Sequence, residues 1–178
     1  NRALLELAYP ILAANNAWIR RTRDGNGNGL YEFGSSDVGL GLYKGTKLAA
    51  KDESFMDNSP IHDEASWRPE ARTLDCEDVG LNSLIAVDCE HLARIAEALG
   101  RDSIGHKEDA ERLRRKISEE LWDSSRRIFA NRLWSGEFVR SIGPTSFFPL
   151  LAGAANRDQT LALVDALRDV RRFGGTPG

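Results

Sequence analysis

The sequence predicts an all-α fold with long functional loops, on three observations. Apolar residues return at spacings of three and four in five separate segments. No strand-rich half and no repeat of short period interrupts them. The long stretch from about 30 to 74 has no helical period and carries scattered aromatics, and a loop of that length inside a domain tends to be functional.

The first helix is expected over about 2–22, where Leu4, Leu5, Ala8, Ile11, Leu12, Asn15 and Trp18 recur on one side. Pro10 should kink it or start a second piece. Arg23-Asp24-Gly25-Asn26-Gly27-Asn28-Gly29 alternates glycine with short polar residues and reads as a loop. Within the long connection, Leu40-Gly41-Leu42-Tyr43 suggests a small hairpin. A second helix is expected over about 76–99, stopped by Gly100. A third, about 106–122, sets Ala110, Leu113, Ile117 and Leu121 against a charged face. Residues 124–143 read as irregular or extended. Helices over about 145–154 and 157–172 follow, the last opened by Asn156 with Gln159 at its third position. The closing Phe173-Gly174-Gly175-Thr176-Pro177-Gly178 leads to no further element, which predicts a domain truncated at both ends.

The 178 residues are 41% hydrophobic and 29% charged, with a formal charge of -3 spread along the chain. That is a globular composition with no basic stripe, which argues against nucleic-acid binding. The apolar runs are too short for a bilayer, so no membrane span is expected. Cys76 and Cys89 are assigned to one helix, about 20 Å apart along it and beyond disulfide reach. They read as reduced, buried side chains, which leans toward a reducing compartment without deciding a location.

Within Glu53-Ser54-Phe55-Met56-Asp57-Asn58-Ser59-Pro60, Asp57 is the candidate catalytic acid. A carboxylic acid protonates a glycosidic oxygen when an apolar wall or a neighbouring carboxylate raises its pKa. Phe55 and Met56 offer the wall, and Asp52 and Glu53 the neighbours. Glu53, Asn58 and Trp67 are the candidate substrate-binding residues, Trp67 as a face for a sugar ring or as a core plug. On the residues alone, an Asp-Asn-Ser-Pro turn without chemistry is the stronger reading.

The motif resembles the signature of glycoside hydrolase family 63 and its bacterial relatives, the processing α-glucosidases and mannosylglycerate or glucosylglycerate hydrolases. Other stretches resemble the same family in the same order: Tyr9-Pro10 with Trp18, residues 23–30, 79–84, 91–100, 121–123 and 146–153. The resemblance thus covers nearly the whole chain. It implies an (α/α)6 barrel whose loops form a sugar pocket, and an exo-acting, inverting α-glycosidase with Asp57 as acid. The family's base is a later glutamate that this chain does not supply, so the chain alone is expected to be catalytically silent and to need the remainder of the barrel as partner. Phe55 stands where the family usually has glycine, which puts the substrate in doubt.

Asp24, Asn26 and Asn28 place oxygens at positions 1, 3 and 5 of a loop with Gly29 at 6 and the Leu30 carbonyl at 7, the pattern that wraps a calcium ion. Ser35 stands at position 12 in place of a glutamate. Glu77 is the expected completing carboxylate, by its place beside the loop and by resemblance to calcium-binding relatives. An Asx-rich turn without an ion is the alternative. Trp18, Trp122 and Trp134 are expected to pack, His62, His91 and His106 to bind no metal, and Asp75, Asp78 and Asp88 to form a solvated helix start and face. Besides the glycosidase, the sequence leaves open a calcium-stabilised helical module that binds carbohydrate or a partner without catalysis.

Overall fold

The computed structural model describes residues 1–36, 44–56 and 58–172, and is 54% helical. Helix α1 (Arg2–Thr22) is capped by the Asn1 side chain and carries Pro10 inside one continuous element. The proline does not begin a second helix. After β1 (Glu32–Gly34) come a short α2 (Lys47–Glu53), capped by Thr46, and the strands β2 (Trp67–Arg68) and β3 (Thr73–Glu77). The long helix α3 (Val79–Leu99) opens on Asp78 and closes on Gly100, whose φ of 72° is the left-handed geometry that favours glycine. It is followed by α4 (Ile104–Glu120), the hairpin β4 (Trp122–Asp123) and β5 (Ile128–Phe129), and β6 (Arg132–Leu133). A 3₁₀ turn at Pro144–Phe147 leads into α5 (Phe148–Leu151). The described chain ends in α6 (Arg157–Arg168), where Asn156 and Gln159 cap one another as expected.

The chain is mainly helical, but not all-α. Four antiparallel strands form a sheet in which β3 pairs with β1 along one edge and with β2 and β6 along the other. All five residues of β3 are buried. Its polar residues Thr73, Asp75 and Glu77 alternate with Leu74 and Cys76 and are buried like them, and five residues are too few to set a strand apart from the helix expected from about 76. Cys76 therefore lies on β3 and Cys89 on α3; both are buried free thiols. The Leu40–Tyr43 hairpin falls outside the described residues.

The main core joins α3 to α4 through Ile85, Cys89, Ala110, Leu113 and Ile117, with Leu30, Tyr31, Leu121, Phe129 and Leu163 around them. Polar pins fix α1 to this core. Asn16 donates to Asp88 (2.8 Å), and Arg20 grips the Asp109 carboxylate on α4 with two N–H groups. A second cluster of Ala50, Ala65, Leu74, Cys76 and Val139 seats the sheet. Among the described residues, no helix is long and apolar enough to cross a membrane.

Candidate active site

The segment around the Asp57 motif is pinned on both sides. Glu53, the last residue of α2, receives Arg23 Nε at 2.6 Å, Arg23 Nη2 at 2.5 Å and the Gly34 N–H at 3.2 Å. Arg23 is only 2% exposed, donates also to Ser36 Oγ, and lies 4.8 Å from the Trp18 ring centroid. Glu53 thus ties the end of α1 to the end of α2, with its oxygens already accepting three N–H bonds.

Beyond it, Ser54 Oγ donates to the Lys51 carbonyl (2.6 Å) and accepts the Met56 N–H (3.0 Å), while the Phe55 N–H donates to the Asp52 carbonyl (3.0 Å). Phe55 takes a φ of 56° and leaves its ring 95% exposed. Such a backbone costs a non-glycine residue roughly 1–3 kcal/mol. On the far side, the Ser59 N–H bonds the Met56 carbonyl (2.8 Å), and Ser59 caps the 3₁₀ turn Pro60–His62. Asp57 itself lies outside the described residues. Asn58 is exposed. Trp67 is half-buried on β2 and packs against the second core cluster beside Phe33 and Leu133.

The end of the motif rests on a buried network that sequence reasoning missed. His62 Nε2 meets Asp78 Oδ2 at 2.8 Å, with both side chains sealed from solvent. Asp78 also accepts N–H bonds from Leu81 and from Asn131 Nδ2, each at 2.8 Å. Burial works to raise the Asp78 pKa, but these hydrogen bonds win and hold it below the ordinary carboxylate range. Asp78 and Asp75 are therefore not a solvated helix start. Asp75 lies on β3, 8% exposed, with its carboxylate on Arg68 and the Ser66 N–H. A sheet strand precedes the helix, so the acids point into protein rather than water.

The glycine-rich loop brings three of its expected ligands together. Asn26 Nδ2 (3.3 Å) and Asn28 Nδ2 both donate to Glu77 Oε1, while Glu77 Oε2 is buried with no hydrogen-bond partner. Asp24 accepts the Gly29 N–H on both oxygens, at 3.2 and 3.1 Å. Leu30 is fully buried, and its N–H bonds Asn28 Oδ1. Among the described residues, no group of three or more His, Cys, Asp or Glu is placed to hold a metal, so any ion here depends on the two amides.

Glu32 was also missed. It stands directly opposite Glu77 in the β1–β3 register, with no exposure, and accepts the Gly25 N–H (2.8 Å) and Trp134 Nε1–H (3.0 Å). Burial, aided by the neighbouring Asp24 and Glu77, outweighs those bonds and pushes its pKa up to about 8. Burial raises Glu77 as well. The available signal was its position, eight residues after Asp24 at the start of β1. A groove of about 380 Å³ opens beside the loop, lined by Trp18, Arg21, Arg23, Ser36 and Arg72 among others.

The model of the mannosylglycerate hydrolase MGH1-like glycoside hydrolase domain matches residues 1–178. The chain belongs to this family. Among solved structures, this MGH1-like domain is similar to an uncharacterized conserved protein from Thermus thermophilus, with 20% identity and a TM-score of 0.74 over 97% of this chain and 48% of that one. It is similar to the GH63 mannosylglycerate hydrolase of the same organism in complex with glucose, with 20% identity and a TM-score of 0.73 over 98% and 46%. The same hydrolase in complex with Tris matches with 16% identity and a TM-score of 0.65 over 93% and 48%. The domain spans about half the length of these structures. No curated protein matches the sequence. The family 63 resemblance read from the motifs thus holds for the family, and the fold agrees in its mainly helical character.

Proposed function

We propose that the chain is part of the (α/α)6 catalytic barrel of an inverting, exo-acting α-glycosidase, acting on an α-glucoside or on a mannosyl- or glucosylglycerate. The observation that carries this reading is the glycoside hydrolase family match over the full chain, with the Glu53–Pro60 motif on a segment pinned from both sides. Asp57 acts as general acid, protonating the glycosidic oxygen as the bond breaks. A carboxylate from the remainder of the barrel activates water on the opposite sugar face, the two carboxyls about 6.5–9.5 Å apart as inversion requires. Asn58 and the open side of Trp67 contact sugar, and Glu53 does so through the lone pairs that Arg23 leaves. The exposed apolar ladder Leu4, Leu7 and Ile11 on α1, each at least 60% open, is the face that the remainder of the barrel covers. In the enzyme, Asp57→Asn should lose at least about 10³-fold in activity on poor leaving groups, since general acid catalysis contributes roughly 10²–10⁴. Turnover of an unactivated substrate by the mutant at the wild-type rate would remove Asp57 from that role.

We further propose a structural calcium ion held by Asp24, Asn26, Asn28, the Leu30 carbonyl and Glu77. Glu77 Oε2, which has no hydrogen bond and only a long ion pair with Arg132 Nη1 at 3.8 Å, and the two amides converging on the same carboxylate support the fit. Turning each amide would aim its oxygen at the ion, in exchange for the bonds that Asn26 Oδ1 and Asn28 Oδ1 now accept from the Asn28 and Leu30 N–H groups. The ion would supply positive charge to a buried acidic pocket and tie the loop to the start of α3, with no part in bond cleavage.

A further inference from the structure

We propose that Phe55 is a specificity-determining residue of the glycosidase site, stacking on the pyranose face of the group that departs. The inference rests on the glycosidase reading above and on what the fold does with this side chain. Among the described residues Phe55 contributes almost nothing to packing, with 95% of it exposed, yet it holds a backbone angle of 56° that glycine would adopt without cost. For folding alone, glycine would serve better here. A strained outlier kept by its surroundings points to function.

The backbone that carries the ring is also held in place. Its N–H is bonded to the Asp52 carbonyl, the Ser54 side chain bridges Lys51 and Met56, and Glu53 is locked to Arg23. With the backbone fixed in advance, stacking has only the two side-chain torsions of Phe55 to order. Its position is two residues before Asp57, at most about 7 Å along the chain, which is comparable with the width of one sugar ring.

The acid must touch the glycosidic oxygen. In an exo-acting pocket the released sugar fills the closed end, so residues open to solvent beside the acid face the departing group. An aromatic ring gains most from a flat apolar partner of its own size. The C–H face of a pyranose offers that; a small charged acid such as glycerate does not. Phe55 therefore favours a pyranose leaving group over glycerate.

The test uses the full-length enzyme with its Phe55→Gly and Phe55→Leu variants. The probes are kojibiose, nigerose and maltose, compared with glucosylglycerate. The ratio of kcat/KM for the best disaccharide over glucosylglycerate should fall about tenfold in both variants, a loss of about 1.4 kcal/mol. The leucine variant keeps the backbone constraint and lacks the ring, so it must show the same loss. The melting temperature of Phe55→Gly should equal or exceed that of wild type. An unchanged ratio, wild-type cleavage of glucosylglycerate alone, or a Phe55→Gly melting temperature several degrees lower would overturn the role of Phe55 and leave the glycosidase reading standing. The last result would mean that Phe55 packs into the barrel. Wild-type failure on all four compounds would bring down the functional reading and this inference together.

Discussion

Replacing Glu32 by Gln should turn a pH-dependent weakness of the fold into a pH-independent one. Glu32 has no exposure, and burial, with help from Asp24 and Glu77, raises its pKa from 4.5 to about 8. The sign follows from linkage. The unfolded chain ionises near 4.5 while the folded chain keeps its proton, so folding loses stability as pH rises from about 4.5 to about 8. At about 1.4 kcal/mol per pH unit the cost is roughly 1 kcal/mol at pH 5, about 3 at pH 7 and about 4 at pH 8. Glutamine removes this charge but turns one acceptor into a donor facing the Gly25 or Trp134 N–H, which costs about 1–3 kcal/mol at every pH. The variant should therefore melt below wild type at pH 5 and above it at pH 8. The swing of about 3 kcal/mol corresponds to roughly 6–12 °C in a domain of this size. Differential scanning calorimetry in chelator across that range measures it, since a bound cation would mask the effect. A melting-temperature difference that stays constant with pH would refute the reasoning.

The proposed calcium ion should raise the melting temperature, by about 2.7 kcal/mol of stability at a hundredfold excess over its Kd. Asp24→Ala should lower the melting temperature and abolish that response; an unchanged calcium response in the variant would count against the site. Gly34→Ala would bring a Cβ to 2.4 Å from the Arg72 carbonyl oxygen and 3.0 Å from Arg23 Nε. It should cost about 1–3 kcal/mol, a fall of several degrees in thermal melts. Because the folded pKa of Asp78 lies below its unfolded value, its contribution is full above about pH 4 and is lost as pH falls further. Asp78→Asn should lower stability at neutral pH and flatten the acid limb of the stability curve, and an unaltered acid limb would exclude the network as its source.

The helices were legible because each buries one stripe and the clearest end on recognisable caps: Asn156 with Gln159, and Gly100. The strands were not, because they are two to five residues long, and the alternation along β3 runs straight into a helix cap. A strand as short as β2 depends on pairing across the chain, and α2, at seven residues, spans barely two turns. The glycine-rich loop was legible in its composition, and the expectation that Glu77 lies beside Asn26 and Asn28 matches the structure. Glu32 and the His62–Asp78 pair were not, because their partners lie across a strand register or in a distant turn that spacing does not encode. The grip of Arg23 on Glu53, thirty residues away, was likewise invisible: a buried arginine in an Arg-Asp-Gly stretch looks like any solvated loop cation.

Strand β3 carries neighbours of every part of the site. Thr73 faces Gly34, Asp75 holds Arg68, Glu77 meets the glycine-rich loop, and Asp78 follows at once as the cap of α3. Its amides are enclosed by strands on both edges, so their protons should exchange with solvent at rates set by global unfolding rather than by local opening. A protein organised in this way has little room to loosen one wall of its pocket while keeping the others. Heat or denaturant would remove the loop geometry and the fold in a single cooperative step.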